Sequence, residues 1–511
     1  MEKQSLLKGT VILGLAGIIA RFLGLFFRWP LIMLIGDEGV GYYQMSYPLY
    51  MFFIAMASGI PVAISKMVSE KNALNDEEGV ILVFKKSLIL MSILAGGFSF
   101  FIFVNSRNLI SFLKWDHKSL YALLAMAVAP IFISVMSVFR GFFQGMQNMK
   151  PTAISEIIEQ VGRVVVGIGL AFLLLPKGIE YAAGGAAFGA AAGGVFGGVY
   201  LFSKFLRIRP LLHVKKLKKD NNILSRILYI AIPISLGATV GTVMSLIDSV
   251  IVPRKLLEAG FTYREAAILY GQLTGKAFVL INVPLTLSIA LCASIVPVIA
   301  EHYVLARQEE VKTKIDMALK FSAVIALPSF CGLYFMAEPV FRLLFPGHSD
   351  GYTLLKYLSI SIPFIVVAQC TTAILQATGN YVRPVINLSI GCIVKIIISY
   401  ILVSIPGINI YGAIAGTIIG YMVASSLNII LLRRTQNIKI NLYDIFIKPA
   451  FASFIMIIGV VFIYFYAYNI TKSNGISCII SIFSGALIYI FLIIIFGVLE
   501  IKYIKNRILK R

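Results

Sequence analysis

Apolar segments of about twenty residues recur along the whole chain, and that recurrence restricts it to a bundle of membrane-crossing helices. Bounded by charges, Pro/Gly clusters or Asn, they number about fourteen. Their limits are 10–35, 41–67, 80–104, 120–145, 153–175, 182–205, 224–252, 269–304, 315–336, 352–377, 384–404, 410–432, 447–468 and 476–499. The runs are continuously apolar, and lipid offers no partner to an open sheet edge, so helices are the expected form. Composition agrees: 59% of residues are hydrophobic and only 13% charged, with a mean hydropathy of +0.90. The expected class is an all-α integral membrane protein of about fourteen transmembrane helices.

The formal net charge is +22, a value that invites a nucleic-acid reading. The Lys and Arg residues fall mostly in short gaps between apolar runs, where membrane orientation explains them, so no nucleic-acid partner is expected. The richer set of loops includes "RIRPLLHVKKLKKDNN", "RRTQNIKINLYD" and the tail "KYIKNRILKR". By the positive-inside rule that set is cytoplasmic, both termini with it, in the cell membrane. Cys292, Cys331, Cys370, Cys392 and Cys478 lie in apolar segments without CxxC spacing, and His117, His213, His302 and His348 are scattered. No metal site, triad, hydrolase or kinase motif is expected, and no cofactor. The first apolar run lacks a small-residue cleavage site and is expected to be retained as a span.

The chain also repeats itself. Pro48 and Pro61 are matched by Pro284 and Pro297, and "QGMQNMKP" (Gln144, Asn148, Pro151) by "QATGNYVRP" (Gln376, Asn380, Pro384). These offsets of about 232–236 residues predict two parallel six-helix repeats around a central cavity. The expected divisions are 1–206, a basic linker 207–223, 224–434, and 435–511 with two additional helices.

Ionisable residues within spans are functional candidates by default. Arg21 and Arg28 lie two helical turns apart on one face of the first span, Arg21 about halfway across. For Arg28 two readings stand, a cavity wall or snorkelling to the headgroups. Arg163 corresponds to Lys395 at the offset of 232, at matched depth. Glu159 and Arg163 are spaced i, i+4, as an intrahelical ion pair would be, with Glu156 a turn earlier. Asp248 and Lys276 are read as partners at an entrance, Lys66, Arg140 and Glu301 as interfacial anchors. Tyr42, Tyr43, Tyr47 and Tyr50 form either an interfacial belt or a sugar-stacking surface. Gln144, Gln376 and Asn380 complete the secondary candidates. The Gly185/Gly189, Gly189/Gly193 and Gly194/Gly198 pairs predict close helix contact. Deep cations outnumber deep acids, which favours an anionic ligand such as phosphate or pyrophosphate.

Five stretches, "LKGTVILGLAGIIARFLGLFFR", "IGDEGVGYYQMSYPLY", "GIPVAISKMVSE", "RGFFQGMQNMKPTAISEIIEQVGRV" and "LIDSVIVPRKL", resemble the polysaccharide-transporter branch of the multidrug/oligosaccharidyl-lipid/polysaccharide exporter superfamily. The resemblance implies a non-enzymatic flippase or exporter of an undecaprenyl-pyrophosphate-linked saccharide, working by alternating access. A peptidoglycan precursor for spore cortex assembly is the expected cargo, with membrane lipids and cell-wall synthesis enzymes as partners. In the related lipid II flippases, arginines in a pattern like "ARFLGLFFR" map onto Arg21 and Arg28. Here Trp29-Pro30 follows the second arginine where those flippases place an acid. Na+ or H+ coupling through Glu156, Glu159 or Asp248 is a further expectation. The rival readings are a cation-coupled multidrug antiporter, a non-transporting scaffold of cell-wall assembly and a membrane-embedded glycosyltransferase.

Overall fold

The computed structural model describes residues 6–209, 222–438 and 441–498, apart from the side chains of 6–11, 18, 21, 25, 237, 240 and 293. Most of the basic linker and the basic tail therefore lie outside the described residues. Helices account for every regular element among the described residues: α1 Leu6–Ala57, α2 Gly59–Ala73, α3 Glu77–Leu113, α4 Leu120–Gly145, α5 Met149–Leu174, α6 Ile179–Ile208, α7 Asn222–Glu258 and α8 Tyr263–Gly271. After a π-helical segment, Gln272–Ala277, come α9 Phe278–Val304, α10 Gln308–Phe335, α11 Ala337–Leu344, α12 Tyr352–Leu358 and α13 Ser361–Ala377. The last four are α14 Val382–Leu402, α15 Tyr411–Gln436, α16 Lys448–Thr471 and α17 Asn474–Ile495.

Among the described residues, 11 helices are long and apolar enough to cross a membrane, and 13 when each of two bent pairs counts as one span. The first of these runs covers 62 residues, Ile12–Ala73, which as one straight helix would reach about 93 Å, three times the hydrocarbon core. It breaks at Gly36, where φ is 60° and ψ −172°, a backbone region open essentially to glycine alone. Dividing the run there returns the fourteen segments read from hydropathy.

The chain packs as two compact units, Met1–Gly271 and Gln272–Arg511. In the first, α4 and α6 close on α3 through Phe84, Phe139, Phe142 and Phe205, whose rings meet at 4.6 to 5.6 Å. α7 and α8 follow the basic linker yet belong to this first unit. The packing boundary therefore lies at Gln272, later than the repeat boundary read near 224. In the second unit, Ile299, Ile315, Leu319, Ile374 and Leu432 join α9, α10, α13 and α15. The final helices α16 and α17 share a core of Met456, Ile457, Val460 and Ile493.

The internal repeat is visible in the backbone. Positive φ occurs at Asn75, Lys114, Gln147 and Gly178, and again at Ala306, Gly347, Gly379 and Asn409, offsets of 231, 233, 232 and 231 residues. The repeated "Q…N…P" is one such pair. Gln147 N–H bonds Gln144 O and Asn148 N–H bonds Phe143 O; Gly379 N–H bonds Gln376 O and Asn380 N–H bonds Leu375 O. Both are Schellman caps that end one helix and turn the chain into the next. Gln144, Gln376 and Asn380, flagged as secondary cavity candidates, thus carry helix-terminating backbone bonds.

Candidate anion-binding site

The site grows from the second half of α1, after the Gly36 break. Tyr43, Tyr47 and Tyr50 recur at helical spacing and share one face. Tyr43 and Tyr47 stack with centroids 5.6 Å apart, and Tyr47 and Tyr50 lie 5.9 Å apart. Tyr43 and Tyr50 are buried, as is Tyr42 on the adjoining face. The tyrosines are thus an internal array, and the interfacial-belt reading gives way. A helix apolar all round carries no signal in its sequence to say which tyrosine face turns inward.

Two arginines close on this array. The Arg28 guanidinium carbon lies 5.8 Å from the Tyr43 centroid and 5.4 Å from that of Tyr47. That of Arg163, on α5, lies 5.7 Å from the Tyr50 ring, and its Nη2 donates to the Tyr50 hydroxyl oxygen at 2.8 Å. A cation over an aromatic face gains about 0.5–2 kcal/mol, more as water is excluded. Neither arginine forms an ion pair among the described residues. Each keeps a buried nitrogen without a hydrogen-bond partner there, Nη1 of Arg28 and Nε of Arg163. Arg28 therefore turns toward α1's own second half, away from the snorkelling alternative. Arg21 sits seven residues earlier in α1, and its side chain lies outside the described residues.

The acid expected to neutralise Arg163 is engaged elsewhere. Glu159, 8% exposed, takes Arg140 Nη2 of α4 at 2.9 Å, while Arg140 Nε donates to Ser155 Oγ at 2.9 Å. The pairing is between helices, so the i, i+4 reading with Arg163 is corrected and Arg140 is no interfacial anchor. Glu156 is half-buried one turn away. Glycines fix the orientation of α5: a Cβ at Gly189 would stand 2.6 Å from Arg163 O, and one at Gly193 2.5 Å from Glu159 O. Only bare glycine backbone lets α6 approach this closely, and the approach leaves the Arg163 side chain to reach α1.

The second unit repeats the device around Lys395, 3% exposed on α14. A Cβ at Gly416 would stand 3.0 Å from Lys395 O, and one at Gly420 3.0 Å from Lys395 Cβ. Gly412, Gly416 and Gly420 form a glycine stripe on α15 that matches the Gly185/Gly189/Gly193 stripe of α6. Its spacing was present in the sequence and went unread. Lys276, fully buried in the π-helical segment, donates to His348 O at 2.6 Å and Asp350 O at 3.4 Å and lies 5.6 Å from the Phe345 ring. It thereby ties down the 346–350 turn of its own unit. Asp248 is buried on α7 of the first unit.

A second polar cluster on α1 went unread. Glu38 Oε2 meets Arg264 Nε at 2.8 Å, its Oε1 lies 3.6 Å from Lys118 Nζ, and the Tyr42 hydroxyl donates to Glu38 at 2.9 Å while lying 3.1 Å from Asp116 Oδ2. Trp115 Nε1 donates to Ser249 O at 2.7 Å beside it. The sequence signal was an acid, Glu38, placed four residues before Tyr42 in the gap between the first two apolar runs. Among the described residues no group of three or more His, Cys, Asp or Glu is placed to hold a metal ion, and all five cysteines are free thiols.

Residues 6–302 match the family described as polysaccharide biosynthesis protein. Stage V sporulation protein B of Bacillus subtilis (strain 168) is 29% identical over 454 residues, covering 87% of this chain and 86% of that protein. The lipid II flippase MurJ of the same organism is 25% identical over 456 residues, covering 84% and 83%. Among solved structures, lipid II flippase MurJ in an inward closed conformation superposes with a TM-score of 0.71 at 17% identity, covering 98% of this chain and 100% of that one. An inward-facing MATE-family multidrug resistance transporter of the MOP superfamily gives 0.70 at 18% identity, over 84% and 98%. The chain belongs to the polysaccharide biosynthesis protein family. It is a multi-pass membrane protein of the transporter and flippase kind, with the two-lobe transporter fold, and no enzyme.

Proposed function

Taking that membership as premise, we propose that the chain moves an undecaprenyl-pyrophosphate-linked saccharide across the cytoplasmic membrane, with both termini on the cytoplasmic side. The observation that carries this reading is the pair Arg28 and Arg163. Two cations with no ion pair among the described residues, each with a buried donor to spare there, face one tyrosine array. Leaving such groups so in a low-dielectric setting is unfavourable unless an anion completes them. A pyrophosphate supplies several acceptor oxygens and matches the planar fork of arginine. The polyprenyl tail needs no protein pocket, since the bilayer solvates it.

The similarity to a lipid II flippase and to a sporulation protein supports a peptidoglycan precursor as the saccharide, used in spore cortex assembly. Cell-wall synthesis enzymes would then supply and consume it. Lys395 is the second unit's candidate for binding an anion. Glu156, Glu159 and Asp248 are the acids proposed for Na+ or H+ coupling, Glu159 being the partner of Arg140. A cationic drug as cargo would meet the wrong sign of charge at Arg28 and Arg163.

The test is translocation of a labelled undecaprenyl-pyrophosphate-linked saccharide in proteoliposomes containing wild type, Arg28→Gln or Arg163→Gln. A charge-assisted hydrogen bond contributes about 1.5–3 kcal/mol, so each variant is expected to run about ten- to hundredfold slower. Equal rates in all three, or no movement by the wild type, would refute the proposal.

A further inference from the structure

A second basic site lies in the other unit, where the first turn of α14 meets the last turns of α15. Arg383, Ile386 and Asn387 from α14 and Leu427, Ile430, Leu431 and Arg434 from α15 line a pocket of about 210 Å³. No acid is among its walls, and neither arginine forms an ion pair among the described residues. Its floor is fixed: Asn387 Nδ2 donates to Asn428 Oδ1 at 2.9 Å, and Asn428 Nδ2 donates to Thr372 Oγ1 at 3.0 Å. Asn428 is 1% exposed, so this relay from α13 through α15 holds the Asn387 amide in place at the pocket wall.

Below the arginines the surface changes character. Ile386, Ile390, Ile393, Ile397 and Ile401 are all exposed on α14, at the three- and four-residue steps that keep one helix face. The stripe runs for about 22 Å, longer than the roughly 15 Å of hydrocarbon in one leaflet. A cationic pocket at the rim, continuous with an apolar track of acyl-chain length, has the chemistry of an anionic membrane lipid. Basic pockets between spans on the positively charged side of a membrane protein attract such headgroups.

We propose that this groove binds one anionic phospholipid, its phosphate between Arg383 and Arg434 and an acyl chain along the Ile386–Ile401 stripe. The proposal stands apart from the transport reading, because none of these residues belongs to the Arg28/Arg163 site. It assigns the second unit a resident lipid on the face bearing the basic loops, and ties function to the charge of the surrounding bilayer.

The experiment is native mass spectrometry of the full chain released from vesicles of phosphatidylglycerol or of phosphatidylcholine. Wild type should retain one phosphatidylglycerol more than Arg383→Ala/Arg434→Ala, with phosphatidylcholine retention alike in both. Each arginine near an anionic surface contributes about fivefold, so the double variant should bind the lipid about thirtyfold more weakly. Arg433→Ala removes a neighbouring exposed charge outside the pocket and should retain the lipid. Ile430→Trp keeps both charges, fills the groove and should lose it, which covers the case of a poorly folded arginine variant. Equal retention by wild type and both pocket variants would overturn the proposal. So would equal retention of the two lipids, which would mark an apolar groove only, or displacement by millimolar inorganic phosphate, which would mark a free-phosphate site.

Discussion

Two polar regions hang from the second half of α1, and they treat charge in opposite ways. Around Glu38 every charge is answered: Arg264, Lys118 and the Tyr42 hydroxyl converge on one carboxylate. Around Tyr43, Tyr47 and Tyr50 two arginines arrive with no ion pair among the described residues and with donors left over there. The first arrangement is what a fold uses to hold elements together, since a satisfied network fixes geometry and leaves nothing to bind. The second is incomplete by itself, and a ligand is what completes it. The same contrast recurs a single turn apart on α5, where Glu159 pairs with Arg140 and Arg163 forms no ion pair among the described residues.

The largest effect expected from this contrast is in transport. Arg28→Gln/Arg163→Gln should slow translocation in proteoliposomes by about a hundredfold or more, while leaving thermal unfolding in detergent unchanged or slightly raised. Parallel loss of folded protein would place the two arginines with the Glu38 cluster. Next comes Glu159→Ala, which leaves the partly buried Arg140 without its carboxylate and with Ser155 Oγ alone, and should destabilise the protein by about 3 kcal/mol. Adding Arg140→Met should recover most of that loss in the same melting experiment, because the uncompensated charge is then gone. Glu38→Gln should lower stability by about 1 kcal/mol, since its partners Arg264 and Lys118 are exposed and solvent screens them. Its translocation rate per folded molecule should match wild type. The smallest effect belongs to Tyr50→Phe, which keeps the ring under Arg163 and removes the hydroxyl acceptor. A change of about fivefold in rate, measured at constant vesicle composition, follows from one lost hydrogen bond.

Hydropathy made the spans legible because a bilayer imposes a length, and the offset near 232 residues made the duplication legible. The glycine pairs of α6 announced the close contact that orients Arg163. What the sequence withheld were the directions of side chains on helices apolar all round. Tyr42, Tyr43, Tyr47 and Tyr50 read as either an interfacial belt or a sugar-stacking surface for that reason. Glu159 was matched to Arg163 because i, i+4 spacing is visible in one dimension, whereas Arg140 reaches it from another helix. Gln144, Gln376 and Asn380 repeat because two turns repeat, and a recurring motif need not be a binding one. Lys276 stood out as a buried cation, and only the path of the 346–350 turn revealed the carbonyls that receive it.

The central claim is that Arg28 and Arg163 hold a pyrophosphate. Its most direct test is the affinity of the purified chain for an undecaprenyl-pyrophosphate-linked saccharide against the same saccharide on an uncharged polyprenyl lipid. The wild type should prefer the pyrophosphate form by about a hundredfold or more, and Arg28→Gln/Arg163→Gln should bind the two forms alike. A preference that survives unchanged in the double variant would contradict the account.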